Sequence, residues 1–200
     1  MTQQLTQRRP TPAGEARALA TKIAWHRLVQ AAILVLSAFL NLYNLTGEGY
    51  GNPYYSAGVK NMLTSWSNFF FVSFDSGFVS IDKPPLGLWF QAASAWLFGF
   101  HGWALLLPQA IAGVLCVALI YHLVRRPFGS VAGLIAALAL ALTPIVVSTS
   151  RSNTIDMLVV LTVLVAAWAV VRATETGRLR WLLLCAAIVG LGFNIKMMQA

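Results

Sequence analysis

The sequence predicts an all-α polytopic membrane protein, and three observations carry that reading. Hydrophobic residues make up 58% of the chain and charged residues only 10%, with a mean hydropathy of +0.70. A soluble domain carries about a quarter charged residues, so a surface this poor in charge would not stay dissolved. A disordered chain is excluded too, because too much apolar surface must be hidden. Second, the apolar residues come in runs near the roughly 20 residues that cross a hydrocarbon core. Third, the 14 basic residues outnumber 6 acids and sit in short groups between those runs. That is the positive-inside pattern of a membrane protein. A nucleic-acid binder would gather its excess on one folded face, so no nucleic-acid partner is expected. Cys116 and Cys185 lie inside apolar runs and read as small buried hydrophobes.

The elements follow in order. Residues 1–27 form a basic tail with Arg8, Arg9, Arg17, Lys22 and Arg27, expected to be disordered and cytoplasmic. No small-residue cleavage site follows the first apolar run, so it reads as an uncleaved helix. Spans are expected near 28–45, 103–124, 128–148, 156–174 and 181–199, with an outer loop over 46–102. That loop holds two shorter helical patterns, near 54–70 and 85–100. The second has an apolar core of about 15 residues, short for a span and suited to an interfacial helix. Charge parity decides its placement. If 85–100 lies flat, the tail, Arg125-Arg126, Arg172, Arg178 and Arg180 all share the cytoplasmic side. If it spans, those five arginines move outside. The flat reading leaves a multi-pass protein of the cell membrane with a cytoplasmic N-terminus. The chain stops at Lys196-Met197-Met198-Gln199-Ala200 without a polar tail, which reads as a piece of a longer protein.

The same topology gathers Glu48, Asp75, Asp82 and Asp156 with Lys60, Lys83, Arg151 and Lys196 at the outer face. Pro84-Pro85 suits the first turn of a helix, which puts Lys83 at a helix N-terminus. Free N–H groups and the positive end of the helix dipole favour an anion there. Arg151 and Lys196 would add cations at the same face, a set suited to a phosphate-bearing lipid. Asp75 and Asp82 share one loop and could act as general base and partner, or hold a divalent metal. No cofactor is otherwise indicated. Asp75, followed by Gly77, can project from a flexible loop. Asp82 stands beside a cation that stabilises its carboxylate, which makes it a weaker base. Asp156 begins a helix, where Asn153 three residues before it suggests a capping box. His26, His101 and His122 are scattered and read as structural. Tyr54, Tyr55, Trp66, Phe69 to Phe71 and Trp89 read mainly as an interfacial aromatic belt.

The wording Tyr54-Tyr55-Ser56-Ala57-Gly58-Val59-Lys60-Asn61-Met62, then DKPPLGLWFQAASAWLFG from Asp82, then Arg151 to Met157 and Asn194 to Met198 resembles the family 39 glycosyltransferases. These include the dolichyl-phosphate-mannose protein mannosyltransferases and the aminoarabinose transferase of lipid A. The wording is similar to its bacterial branch of the YkcB/YycA type, and the resemblance covers most of the chain. It implies a GT-C transmembrane helix bundle that transfers a sugar, mannose or related, from a polyprenyl-phosphate donor. The acceptor would be a lipid, glycan or protein on the extracytoplasmic face. Carried over by residue, Lys83 resembles the lysine that holds the donor phosphate, with Asp82 the acid before it. Asp156 resembles the acid that begins a later span, and Lys196 the lysine at the next outer end. Asn52, Tyr54 and Tyr55 fall in the substrate loop. The family usually has Asp-Glu before the first loop helix, and Gly51 and Asn52 stand there instead, so Asp75 is the nearest substitute base. Two other classes compete. A transporter or flippase of a lipid-linked sugar would place ionisable groups at mid-membrane on broken, repeated helices. A catalytically inactive scaffold of the same fold would tolerate the missing Asp-Glu.

Overall fold

The computed structural model describes residues 12–197, with side chains from residue 25 onward apart from Ser76. Helix α1 (Pro12–Leu42) leads through a 3-10 turn at Leu45–Glu48 to two short helices, α2 (Pro53–Met62) and α3 (Trp66–Phe71). A two-stranded antiparallel hairpin follows, β1 (Ser73–Phe74) with β2 (Val79–Ser80), around a turn at Asp75–Gly77. Then come α4 (Pro85–Phe98), α5 (Gly102–Leu142), α6 (Pro144–Ser150), α7 (Asp156–Thr176) and α8 (Leu179–Ile195). The described part of the basic tail is helical and continuous with the first apolar run, which corrects the expectation of disorder there. Residues 1–11 of that tail lie outside the described residues.

Three helical segments are long and apolar enough to cross a membrane: Trp25–Glu48, Gly102–Leu142 and Asp156–Thr176. The helix Leu179–Ile195 is apolar but shorter. At 41 residues α5 is about twice as long as one crossing requires. It is broken at Gly129, where φ 86° and ψ 168° suit glycine alone. Beyond the break the chain folds back on itself. A Cβ on Gly133 would stand 3.0 Å from the Tyr121 carbonyl and 2.9 Å from Arg125 Cβ. Ile33 of α1 and Val117, Tyr121, Ala137 and Ala141 of the two α5 arms form one buried cluster. The small residues let these helices approach closely, the usual device for packing in lipid. Leu182, Leu183, Leu191 and Phe193 of α8 and Val35 and Phe39 of α1 face outward, as a bilayer allows.

The loop over 46–102 begins and ends at the same place. A Cβ on Gly102 would lie 1.9 Å from the Gly49 carbonyl oxygen, so only glycine fits at this crossing. Leu45 packs with Leu106 and Ala110 beside it. Helix α4, with 14 residues, rises about 21 Å, short of a hydrocarbon core of about 30 Å. It lies against α5 within the largest buried cluster, where Leu88, Ala92 and Ala95 meet Leu105, Ile155 and Ile195. Trp89 fixes α3 to α4, stacked on Phe69 at 5.5 Å and donating from Nε1 to the Phe69 carbonyl at 2.9 Å.

Two chemically distinct ends result. One collects the loop, the α6–α7 connection and the end of α8. The other collects Arg125, Arg126, Arg172, Glu175, Arg178 and Arg180 at the α5 break and the α7–α8 turn. For brevity these are the acid–lysine end and the arginine end.

Candidate active site

The acid–lysine end is built around one glycine contact. A Cβ on Gly87, in the first turn of α4, would sit 2.8 Å from Ile155 Cγ2 and 3.2 Å from Ile195 Cγ2. Ile155 precedes Asp156 and Ile195 precedes Lys196. The start of α4, which carries Lys83, is thereby pressed against the start of α7 and the end of α8. Residues 83, 156 and 196, far apart in sequence, come to one region because these three helix ends meet there.

Within that region the charges are paired. Lys83 Nζ donates to Asp82 Oδ2 at 2.5 Å, and Lys196 Nζ donates to Asp156 Oδ1. The hydrogen bond to the Asp82 carboxylate pushes the Lys83 ammonium above its ordinary pKa of 10.5, against a smaller opposing effect of burial. Lys83 is therefore a cation throughout the neutral and mildly alkaline range. The Asp82 backbone N–H donates to the Tyr54 hydroxyl at 3.2 Å, which ties this pair to α2. Tyr54 also sets its ring against Phe74 at 5.5 Å, beside the hairpin turn. Tyr55 is half-buried and packs on the core. Helix α4 starts with Pro84 and Pro85, and no side chain caps its first N–H groups.

Asp75 stands apart from both pairs. It lies at the hairpin turn with φ 50°, and its carbonyl accepts from Phe78 N at 3.2 Å. Its carboxylate is exposed and has no hydrogen-bond partner among the described residues. No group of three or more His, Cys, Asp or Glu that could hold a metal occurs among the described residues.

Arg151 serves another purpose than the one expected. Its Nε and Nη2 donate to Glu48 Oε1 at 2.9 and 2.7 Å, and its Nη1 to the Leu40 and Tyr43 carbonyls at 3.0 and 2.7 Å. A guanidinium has five N–H donors, so nearly all are engaged. Arg151 closes the open carbonyls at the end of α1.

Asn153 is likewise not a cap. Its Oδ1 accepts from Asn52 N at 2.7 Å, and its Nδ2 donates to the Asn52 carbonyl at 3.1 Å and to Ser56 Oγ at 2.9 Å. The Asn153 carbonyl accepts from Gln91 Nε2 at 2.6 Å. One fully buried side chain thus clamps α2 to the α6–α7 connection, and Gln91 adds α4. Gly51 makes the approach feasible: its φ is 67°, and a Cβ there would stand 2.6 Å from Asn153 Oδ1. Asn52 turns its own side chain to Tyr54 N at 2.9 Å, as the N-cap of α2. Helix α7 is capped from elsewhere, Leu158 N donating to buried Gln109 Oε1 at 3.3 Å. Sequence reasoning read Asn153 as a cap and missed Gln91 and Gln109. Glutamine inside an apolar helix was the available signal for the last two.

The fold and this end together define a polytopic helical membrane protein of the GT-C kind, with paired acids and lysines at one face. The solved apo structure of ArnT from Cupriavidus metallidurans matches with a TM-score of 0.72 at 22% identity, over 89% of this chain and 34% of that one. The family model for dolichyl-phosphate-mannose-protein mannosyltransferases matches residues 82–200, and the chain belongs to that family. YycA of Bacillus subtilis (strain 168), a candidate mannosyltransferase by name, is 50% identical over 169 residues, covering 84% of this chain. The polyprenol-phosphate-mannose–protein mannosyltransferase of Corynebacterium glutamicum is 30% identical over 166 residues and 76% of this chain. The chain spans 25% of the length of the first of these relatives and 31% of the second.

Proposed function

We propose that the chain forms part of a membrane glycosyltransferase that moves mannose or a related sugar from a polyprenyl phosphate to an acceptor. The reaction takes place at the acid–lysine end, on the extracytoplasmic side. The observation that carries this reading is the Gly87 contact, which presses the Lys83 helix start against Asp156 and Lys196. Lys83, Lys196 and the uncapped N–H groups of α4 belong to the helix ends joined at that contact, a set suited to a lipid phosphate.

In the reaction the bond between the anomeric carbon and the phosphate oxygen breaks while the acceptor oxygen bonds to that carbon. Lys83 and Lys196 neutralise the charge left on the departing phosphate. Asp82 and Asp156 hold the lysines in place and yield them to the phosphate as it arrives. The acceptor proton goes to a carboxylate on the opposite side of the sugar. Asp75 carries no counter-ion, so its carboxylate is free to take that proton. A base across the sugar from the leaving phosphate need not touch the lysines, and Asp75 does not.

The names of the relatives support the sugar and the lipid donor, since the Corynebacterium glutamicum protein is named for polyprenol-phosphate mannose. A flippase is the less economical reading, because these charges lie at helix ends rather than in the middle of a span. The test is a transfer assay with the full-length protein. Polyprenyl-phosphate mannose should serve as donor and a nucleotide sugar should not. Translocation of the lipid-linked sugar without transfer would support a flippase instead.

A further inference from the structure

We infer that the arginine end holds a binding site for the phosphate head group of an anionic phospholipid in the adjoining leaflet. The site lies at the opposite end of the bundle from the acid–lysine cluster and does not depend on the reaction proposed there. Its centre is Trp181, in the first turn of α8. The guanidinium carbons of Arg172 and Arg180 each lie 5.3 Å from the Trp181 ring, and Trp168 meets that ring edge-on at 5.3 Å. Arg125 lies 5.4 Å from the Tyr121 ring nearby. Two cations drawn to one indole repel each other at the membrane boundary unless an anion joins them.

Among the described residues, too little anion faces these cations. Glu175 accepts from Arg126 Nη1 at 2.8 and 2.7 Å and from Arg172 Nη1 at 3.3 Å. That single carboxylate is shared by two arginines, and Arg125, Arg178 and Arg180 pair with no acid among the described residues. Two N–H donors in the same cluster, Arg172 Nε and Trp181 Nε1, are hidden from solvent and meet no acceptor among the described residues. A hidden donor left unpaired is destabilising. A phosphodiester answers each need, being anionic, rich in acceptors and matched to planar guanidinium groups.

The surroundings favour a lipid over a soluble phosphate. Leu179, Leu182 and Leu183 on α8 and Phe128 at the α5 break are exposed beside the arginines. They offer apolar surface for acyl chains next to a cationic site at head-group depth, a recurrent arrangement in head-group pockets between membrane helices.

The test uses the full-length protein in neutral detergent, with lipid retention read by native mass spectrometry and stability by thermal unfolding. Phosphatidylglycerol should be retained and raise the unfolding temperature, whereas phosphatidylcholine and inorganic phosphate should do neither. Arg180→Gln should weaken phosphatidylglycerol retention about tenfold, and Lys60→Gln, at the other end, should not. Arg172→Gln also removes a contact to Glu175, so the deciding variant is Arg180→Gln, which alters the stack on Trp181 and leaves Glu175 with both its arginines. Equal retention of phosphatidylglycerol by Arg180→Gln and the unchanged protein would overturn the site. Equal retention of phosphatidylcholine would reduce it to general apolar anchoring. The same stabilisation by inorganic phosphate would make it a soluble-anion site and overturn the lipid assignment.

Discussion

The two ends of this bundle treat charge in opposite ways. At the acid–lysine end each lysine has its own carboxylate, Lys83 with Asp82 and Lys196 with Asp156. Neutral buried groups, chiefly Asn153, hold the surrounding segments together. At the arginine end one carboxylate is shared, and Arg125 and Arg180 rest on aromatic faces. One-to-one pairing keeps lysines in place yet releasable when a stronger anion arrives. A surplus of arginines instead fixes orientation and attracts lipid. On the two proposals above, the same excess of positive charge does two different jobs, and placement decides which.

The largest effect expected concerns Asp75, the acid outside both pairs. Asp75→Asn in the full-length enzyme should abolish turnover while leaving donor binding nearly intact. Asp82→Asn and Asp156→Asn should weaken binding as well as rate, because each frees a lysine that it positions. Near-normal turnover of Asp75→Asn would assign the base to one of the paired acids or to a residue outside this chain.

Next comes the backbone crossing that closes the loop. Gly102→Ala should destabilise by about 3 kcal/mol or more, since its Cβ would stand 1.9 Å from a carbonyl that cannot step aside. Gly190→Ala, where nothing lies within 4 Å, should be neutral or stabilising by up to about 1 kcal/mol. Thermal unfolding of both variants checks the contrast. If they behave alike, the ends of the loop do not meet as described.

Asn153→Ala and Glu175→Gln then compare the two ends directly. The first removes three hydrogen bonds from a fully buried clamp and should cost about 2–3 kcal/mol. The second loosens ion pairs whose partners are about one-third exposed, and should cost less than about 1 kcal/mol. A reversed order in unfolding experiments would mean that the arginine network, not the neutral clamp, holds the bundle. The sidedness of the two ends is checked by labelling. Cysteines at Ser65 and Ser152 should react with an impermeant thiol reagent from outside, and one at Ser130 should not.

Local chemistry was readable before folding and distant pairing was not. The apolar runs and the double proline before α4 act over short stretches, and helices stand where they pointed, the short α4 among them. Asn153 looked like a cap because Asp156 stood three residues on, but its partner Asn52 is 101 residues away. Arg151 looked like a free cation for the same reason, its carboxylate partner lying 103 residues back. Nothing near either residue announces those contacts. Gly51 carried a clue of another sort. The space left by its missing side chain is occupied by Asn153, so an acid there would collide with the clamp.

The central claim is that Lys83 receives the donor phosphate, and a pair of lysine variants tests it most directly. Lys83 stands before an uncapped helix start, whereas Lys60, on the exposed side of α2, rests 5.9 Å from the Phe100 ring. Binding of a polyprenyl-phosphate sugar to the full-length protein should weaken about ten- to a hundredfold in Lys83→Ala, the worth of one charge-assisted contact. It should change little in Lys60→Ala. Raising the pH to 9 should not reproduce the loss, because the Asp82 hydrogen bond keeps Lys83 protonated, its charge falling only above the ordinary lysine value of 10.5. Equal and small effects of the two substitutions would contradict the claim and leave Lys83 as an interfacial anchor only.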